Sequence, residues 1–174
     1  NLNPRTQDVI SRRFGLKTGN VETLESIGGK YKITRERVRQ IEEAALRELR
    51  KNFDGFGLAE QVSKIKAILS SSGNVLREEI LFHEFSGSPQ YNKTNAALVF
   101  LMTISSGFEH YLENEDYQTI WTVKDPFFAA KAKEVVEKSV QLLKKQNRVL
   151  AEAELASFFS KVSNEEMSDK KIFL

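Results

Sequence analysis

Thr34-Arg35-Glu36-Arg37-Val38-Arg39-Gln40 decides how this chain is read. A threonine cap, followed by Val38, Ile41, Ala45 and Leu49 at helical spacing, predicts a helix running to about Lys51. Opposite that apolar stripe lie Glu36, Gln40, Glu43 and Arg47, with Arg39 on one shoulder and Arg37 on the other. Arg35 sits in the first turn, where a helix presented end-on offers it to a groove. Arginine pairs bidentately with guanine O6 and N7, glutamine with adenine N6 and N7, and glutamate accepts from cytosine N4. Arg35, Glu36, Arg39 and Gln40 are therefore the candidate base readers. A carboxylate facing phosphates weakens binding, so Glu36 among arginines makes sense as a base acceptor or as a group orienting Arg39 or Arg35. The competing reading is a solvated charged face laced by Arg39–Glu43 and Glu43–Arg47 pairs, each worth about 0.2–0.5 kcal/mol.

Working back toward the start, Thr6 to Phe14 reads as a short amphipathic helix with Val9, Ile10 and Phe14 inward and Gly15 just past its end. The polar loop Lys17-Thr18-Gly19-Asn20 follows. Thr23 then caps a helix from Leu24 to Tyr31, with Leu24, Ile27 and Tyr31 on its inner face and Glu25 in its first turn. Gly28-Gly29 weakens that helix, and close approach of another helix is one reason to tolerate the pair. Lys32-Ile33 makes the turn into the helix capped by Thr34, with Ile33 plugging the core; the arrangement is a helix-turn-helix. Arg13, Lys30, Lys32 and Arg37 lie where they suit phosphates better than bases, and Thr23 and Thr34 can turn helix N-termini toward the same backbone. Arg5, Arg12, Lys17, Arg47, Arg50 and Lys51 are expected on the solvated surface.

Asp54-Gly55-Phe56-Gly57 marks a boundary. Beyond it, Leu58–Ser71, Val75–Phe85 and Asn92–Ser106 read as three helices, and Glu109–Glu113 and Thr119–Lys124 as two strands. That order is a winged helix, with an acidic wing carrying Glu109, Glu113, Glu115 and Asp116. Its third helix turns nearly all apolar after Asn95, so it is expected to be buried, and the module to face protein or act as a spacer. Trp121 and Tyr117 are expected to pack in its core. Phe127–Lys145 reads as a long helix, and Arg148–Leu155 echoes Asn74–Leu81. The closing segment is thus either the start of a second winged helix or a helical hairpin. The expected fold is mainly α: a helix-turn-helix domain at 1–52, a winged-helix-like domain at 58–125, and a helical segment at 126–174.

Composition narrows the function classes. The first 51 residues hold 12 Lys/Arg against 7 Asp/Glu, whereas the remainder holds 14 against 17. A basic head on a mildly acidic body points to a polyanion partner for the head alone. No cysteine occurs among the 174 residues, which removes disulfides and thiolate metal sites and fits a cytoplasmic protein. No apolar run reaches the roughly 18 residues that suggest a membrane span. His83 and His110 stand apart, Glu78 and Glu79 diverge on a helix, and no glycine-rich phosphate loop is present. Catalysis, metals and cofactors are therefore not expected. The chain opens on Asn rather than Met, as a piece of a longer protein would.

Three blocks together resemble region four of primary-type bacterial sigma factors: Arg13-Phe14-Gly15-Leu16, then Thr23 to Gly28, then Thr34 to Glu42 followed by Ala45 to Arg50. The resemblance covers about residues 4–51 and holds in order and spacing. It implies recognition of the promoter −35 element by the third helix in the major groove. It also implies a contact between the domain and the flap of the RNA polymerase β subunit, near Val9, Phe14 and Leu16, in the bacterial cytoplasm at the nucleoid. Arg35, Glu36, Arg39 and Gln40 fall on base-contacting or groove-lining positions. Arg13, Leu24, Glu25 and Arg37 fall near the DNA backbone, Leu24 and Glu25 through helix N-terminal amides. Members of the family carry regions two and three before region four and end after it, whereas about 120 residues follow here. Without those regions upstream of Asn1 the chain is no complete sigma factor. Two other readings stand beside promoter reading: an adaptor that binds the flap without reading promoters, and a general helix-turn-helix regulator. More faintly, the second part resembles winged-helix modules of polymerase-associated proteins.

Overall fold

The computed structural model describes residues 2–113 and 118–124, with isolated positions beyond. The chain divides into two compact units, Asn1–Val123 and Lys124–Leu174. The helix expected at Phe127–Lys145, the echo at Arg148–Leu155, and the wing tip with Tyr117, Glu115 and Asp116 lie outside the described residues. The helices and strands with described bounds all belong to the first unit.

Helix α1 spans Pro4–Arg13, two residues earlier than the apolar pattern suggests. The Asn3 side chain accepts from the Thr6 amide at 2.9 Å, and Pro4, which needs no amide partner, opens the helix. Helix α2, Leu24–Tyr31, and helix α3, Arg35–Lys51, start as their threonines require: Thr23 Oγ1 accepts from Ser26 N and Thr34 Oγ1 from Arg37 N, both at 3.1 Å. Val9, Ile27 and Val38, one from each helix, are fully enclosed, and Leu24, Tyr31, Ile33 and Ile41 close around them.

Gly28 explains half of the glycine pair. A methyl group there would stand 2.7 Å from the Ile33 carbonyl oxygen, beside the backbone that opens α3. The approach that permits is the one between α2 and the turn after it. Gly29 meets nothing within 4 Å. Gly28→Ala is expected to destabilise the head by about 1–3 kcal/mol through overpacking. Gly29→Ala should instead gain up to about 1 kcal/mol from helix propensity. Urea unfolding of the two variants side by side reads the difference, and equal effects would remove the steric account.

After a short 3-10 turn at Phe53–Phe56, the second module runs α4 (Ala59–Ser70), β1 (Val75–Arg77), α5 (Glu78–Ser86), α6 (Lys93–Ile104), β2 (Phe108–Tyr111) and β3 (Ile120–Val123). The strands form an antiparallel sheet in the order β1-β3-β2, with Leu76 opposite Trp121 and Trp121 opposite His110. Helix, strand, helix, helix and hairpin is the winged-helix order, and the sheet has three strands where two were expected. Val75–Arg77, which the sequence pattern assigns to the first turn of a helix, is an edge strand. Gly73 and Asn74 both adopt left-handed backbone (φ 76° and 68°), which breaks any helical run-in, and β3 supplies the ladder partners. α5 then starts with no loop, its Glu78 amide donating to the Thr119 carbonyl at 2.9 Å. The core gathers Ile65 and Leu69 of α4, Leu76, Leu81 and Phe82, Leu98, Val99 and Met102 of α6, Phe108 and Trp121. Trp121 is a core residue, as expected: it is 1% exposed, donates from Nε1 to Glu78 at 2.8 Å, and stacks on His110 with centroids 4.0 Å apart.

α6 serves both halves of the unit. One side carries the module's core. Phe100 meets Phe14 of the head edge-on at 5.1 Å, the Tyr91 hydroxyl donates to the Phe14 carbonyl at 2.9 Å, and Arg50 Nε donates to the Thr103 carbonyl at 3.1 Å. Burial, helped by the nearby Glu78 charge, pushes the Tyr91 phenol up to about 12, so it remains a donor throughout the neutral range. The third helix of the winged helix is therefore largely buried beyond its first turn, with Ala97 exposed, close to what its composition implied.

Candidate nucleic-acid interface

α3 packs Val38 against Val9 of α1 and Ile27 of α2; Ala45 is also buried, with Ile41 and Leu49 half-buried. Arg35, Glu36, Arg37, Arg39, Gln40, Glu43 and Arg47 are all exposed. The four candidate readers are thus all exposed in the first turns of α3, whose opening backbone packs beside Gly28 of α2.

These side chains are wired to one another. Arg39 donates to Glu36 through Nε at 2.9 Å and Nη2 at 2.8 Å, and reaches Glu43 from Nη1 at 3.4 Å. Gln40 Nε2 donates to Glu36 Oε1 at 3.4 Å, and Arg37 Nη1 donates to Gln40 Oε1 at 3.1 Å. Glu36 is the hub. The Arg39 bonds hold its carboxyl below the usual glutamate range, and Glu36 in turn raises the arginine further above neutrality. Of the two arginines that Glu36 could orient, it is bonded to Arg39. The Arg39–Glu43 pair is present but longer, and Glu43–Arg47 is absent among the described ion pairs.

The candidate phosphate contacts divide. Thr34, Lys30, Lys32 and Arg37 are exposed around the turn and the start of α3, and Glu25 is exposed in the first turn of α2. Leu24 is half-buried on the head's core, so only its backbone amide faces outward chemistry. Lys32 occupies left-handed backbone at φ 53°, a conformation that costs a residue with a side chain about 1–2 kcal/mol. Arg13 is placed differently from its neighbours. Its Nε donates to Glu42 of α3 at 3.0 Å and its Nη1 to the Glu22 carbonyl at 2.6 Å, with both side chains of the ion pair mostly buried. It fastens α1 to α3 and to the entry of α2.

Two arginines expected on the solvated surface also hold the head together. Arg12 bridges Asp8 and Glu22, each at 2.6 Å, and Arg50 crosses to α6. The i,i+4 spacing of Asp8 and Arg12 is visible in the chain; the Tyr31 hydroxyl that donates to Asp8 from 23 residues away is not. That phenol bond, and then Arg12, hold the Asp8 carboxyl below the ordinary aspartate range. Asp8 is thus more acidic folded than unfolded. Its contribution is complete above the ordinary aspartate pKa of about 3.9 and is lost as pH falls below that value, through the depressed one. Asp8→Asn is expected to cost about 1–2 kcal/mol at pH 7. The gap from wild type should narrow as pH falls below the ordinary aspartate range, read by urea unfolding at neutral and at acid pH.

An arginine-rich third helix, capped by threonine and packed beside a second capped helix, defines a helix-turn-helix domain. Residues 1–51 match the family model described as Sigma-70, region 4. Over 49 residues, 28% of this chain, the head is 55% identical to RNA polymerase sigma factor SigA1 of Synechococcus elongatus, covering 12% of that protein. It is 53% identical over 49 residues to RNA polymerase sigma factor SigA of Clostridium acetobutylicum (28% of this chain, 13% of the relative). It is 48% identical over 50 residues to RNA polymerase principal sigma factor HrdD of Streptomyces coelicolor (29% and 15%). The chain spans about an eighth of the length of the curated relatives it matches. No solved structure matches it.

Proposed function

We propose that the head, residues 1–52, reads a −35-type promoter element in duplex DNA, as the promoter-recognising part of a sigma-type initiation protein that works with RNA polymerase. The observation that carries this reading is the open Arg35-Glu36-Arg39-Gln40 face of α3, coinciding with the region matched to Sigma-70 region 4. In the groove, Arg35 and Arg39 read guanine, Gln40 adenine, and Glu36 accepts from cytosine. Thr34, Lys30, Lys32, Arg37 and the first amides of α2 at Leu24 and Glu25 hold the backbone. Arg13 acts there chiefly by keeping α1 and α3 in register. Selection from random duplex DNA is expected to recover a site resembling TTGACA, and recovery of sequences with no shared preference would overturn the reading.

The module at 58–125 forms the other part of this working unit. In this reading the head also meets the β flap, at a surface that leaves out Val9, which is enclosed, and the side of Phe14 that packs on Phe100. Flap-only binding, with weak and non-selective DNA association, is the outcome that would favour an adaptor instead.

A further inference from the structure

The second module sets the start of α6 against the loop that leads into α2. Gly19, at φ 78°, has no room for a side chain there: a methyl group would lie 3.1 Å from the Lys93 amide nitrogen and 3.3 Å from the Asn92 backbone. Two residues before Lys93, the Tyr91 hydroxyl is bonded to the Phe14 carbonyl. Lys17, Thr18, Asn20, Lys93 and Thr94 therefore form one exposed ridge built from both halves of the unit. Asn20 stands three residues before Thr23, the cap of the helix whose first amides are proposed to hold phosphate. Neither Lys17 nor Lys93 forms an ion pair with a described residue, whereas Glu22 behind them is already engaged by Arg12 at 2.6 Å and by the Ser26 hydroxyl at 3.3 Å. Glu25, on the first turn of α2, is the exposed acid nearest in sequence.

We infer that the second module is a backbone-binding extension of the DNA interface, with Lys93 and Lys17 contacting phosphates that flank the element read by α3. This rests on the promoter-reading proposal and deepens it. Two exposed lysines on the approach to α2, unpaired among the described residues, suit the DNA that α3 is proposed to read, and their flexible stems fit phosphates rather than base edges. α6 cannot do more. Beyond Thr94, α6 buries Asn95, Ala96, Leu98, Val99 and Met102 and carries no further lysine or arginine. The otherwise acidic module thus adds affinity and footprint length without adding sequence information.

The test uses the whole chain, with Lys17→Gln, Lys93→Gln, the double variant, and Lys64→Gln as a control whose lysine is occupied by Glu60. Binding to the selected site is followed against salt, together with backbone protection by hydroxyl-radical cleavage. The double variant is expected to lose close to two from the magnitude of the log-affinity against log-salt slope, about 0.9 per contact. It should lose about tenfold in affinity near physiological salt and the protection on one flank, while its selected sequence stays the same. The control should match wild type. If wild type selects a sequence but the double variant keeps its slope, affinity and footprint, the inference is overturned and the promoter reading stands. If wild type selects nothing, the promoter reading falls and takes the extension with it. Circular dichroism of each variant guards against loss of fold.

Discussion

Replacing Trp121 with alanine should cost the protein about 3–5 kcal/mol of stability, the upper range for truncating a buried side chain. The residue sits on β3, the central strand, with Leu76 on one side and His110 on the other, and it is essentially sealed. Three losses add together: the indole's buried area, the stacked imidazole, and the bond from Nε1 to Glu78. The last leaves a carboxylate at the start of α5 without its indole donor, although His110 Nε2 remains 3.2 Å away. Trp121→Phe keeps most of the area and the stack while losing the bond, so it should recover most of the stability. Because Trp121 is the chain's single tryptophan, unfolding of the variants has to be followed by far-ultraviolet circular dichroism in urea. A loss below about 1 kcal/mol for Trp121→Ala would mean that the module's core is not organised around this residue. The head should loosen too, since its Phe14 leans on α6, whose other side shares the Trp121 core.

The second large effect is on recognition. Arg39→Ala is expected to reduce discrimination at one base pair of the selected site by about 1–3 kcal/mol, or roughly 5- to 150-fold. Binding to unrelated duplex should fall much less. Arg37→Ala should weaken every sequence alike and lower the salt slope by about one. The network around Glu36 sharpens the comparison. Both Nε and Nη2 of Arg39 are held by Glu36, so on the proposed reading the guanidinium would enter the groove already oriented. Glu36→Gln removes that hold and the negative charge together. It should raise affinity for non-specific DNA while relaxing preference at the positions read by Glu36 and Arg39. Competition binding against selected and scrambled duplexes separates these outcomes. Equal losses on both duplexes for Arg39→Ala would make it a phosphate contact and move base reading elsewhere on α3.

Much of this is legible in the chain because local chemistry and tertiary need agree. Thr23 and Thr34 announce two helix starts to the residue, and the stripe Val38, Ile41, Ala45, Leu49 tells which side of α3 is left open. What stays hidden depends on residues distant in sequence. Val75-Leu76-Arg77 carries too short an apolar run for periodicity to separate strand from helix, and only its pairing with Ile120–Thr122 decides the matter. Arg13 looks like a free cation until Glu42, 29 residues on, claims it. Arg12 and Arg50 likewise read as solvent-facing because their acceptors come from other elements or from distant residues. The candidate readers are visible as a set, yet their wiring through Glu36 requires rotamers that spacing alone does not supply.

The seam on α6 also sets an order of events during synthesis. Phe14 leaves the ribosome ahead of Tyr91, which clasps its carbonyl and lies 77 residues downstream. At about 5–20 residues per second, the head waits roughly 4–15 seconds for that partner. Until then it must stand on the small cluster of Val9, Ile27 and Val38, with Phe14 uncovered. The nascent head is therefore at its most vulnerable to proteases and to misassociation before the second module has been made.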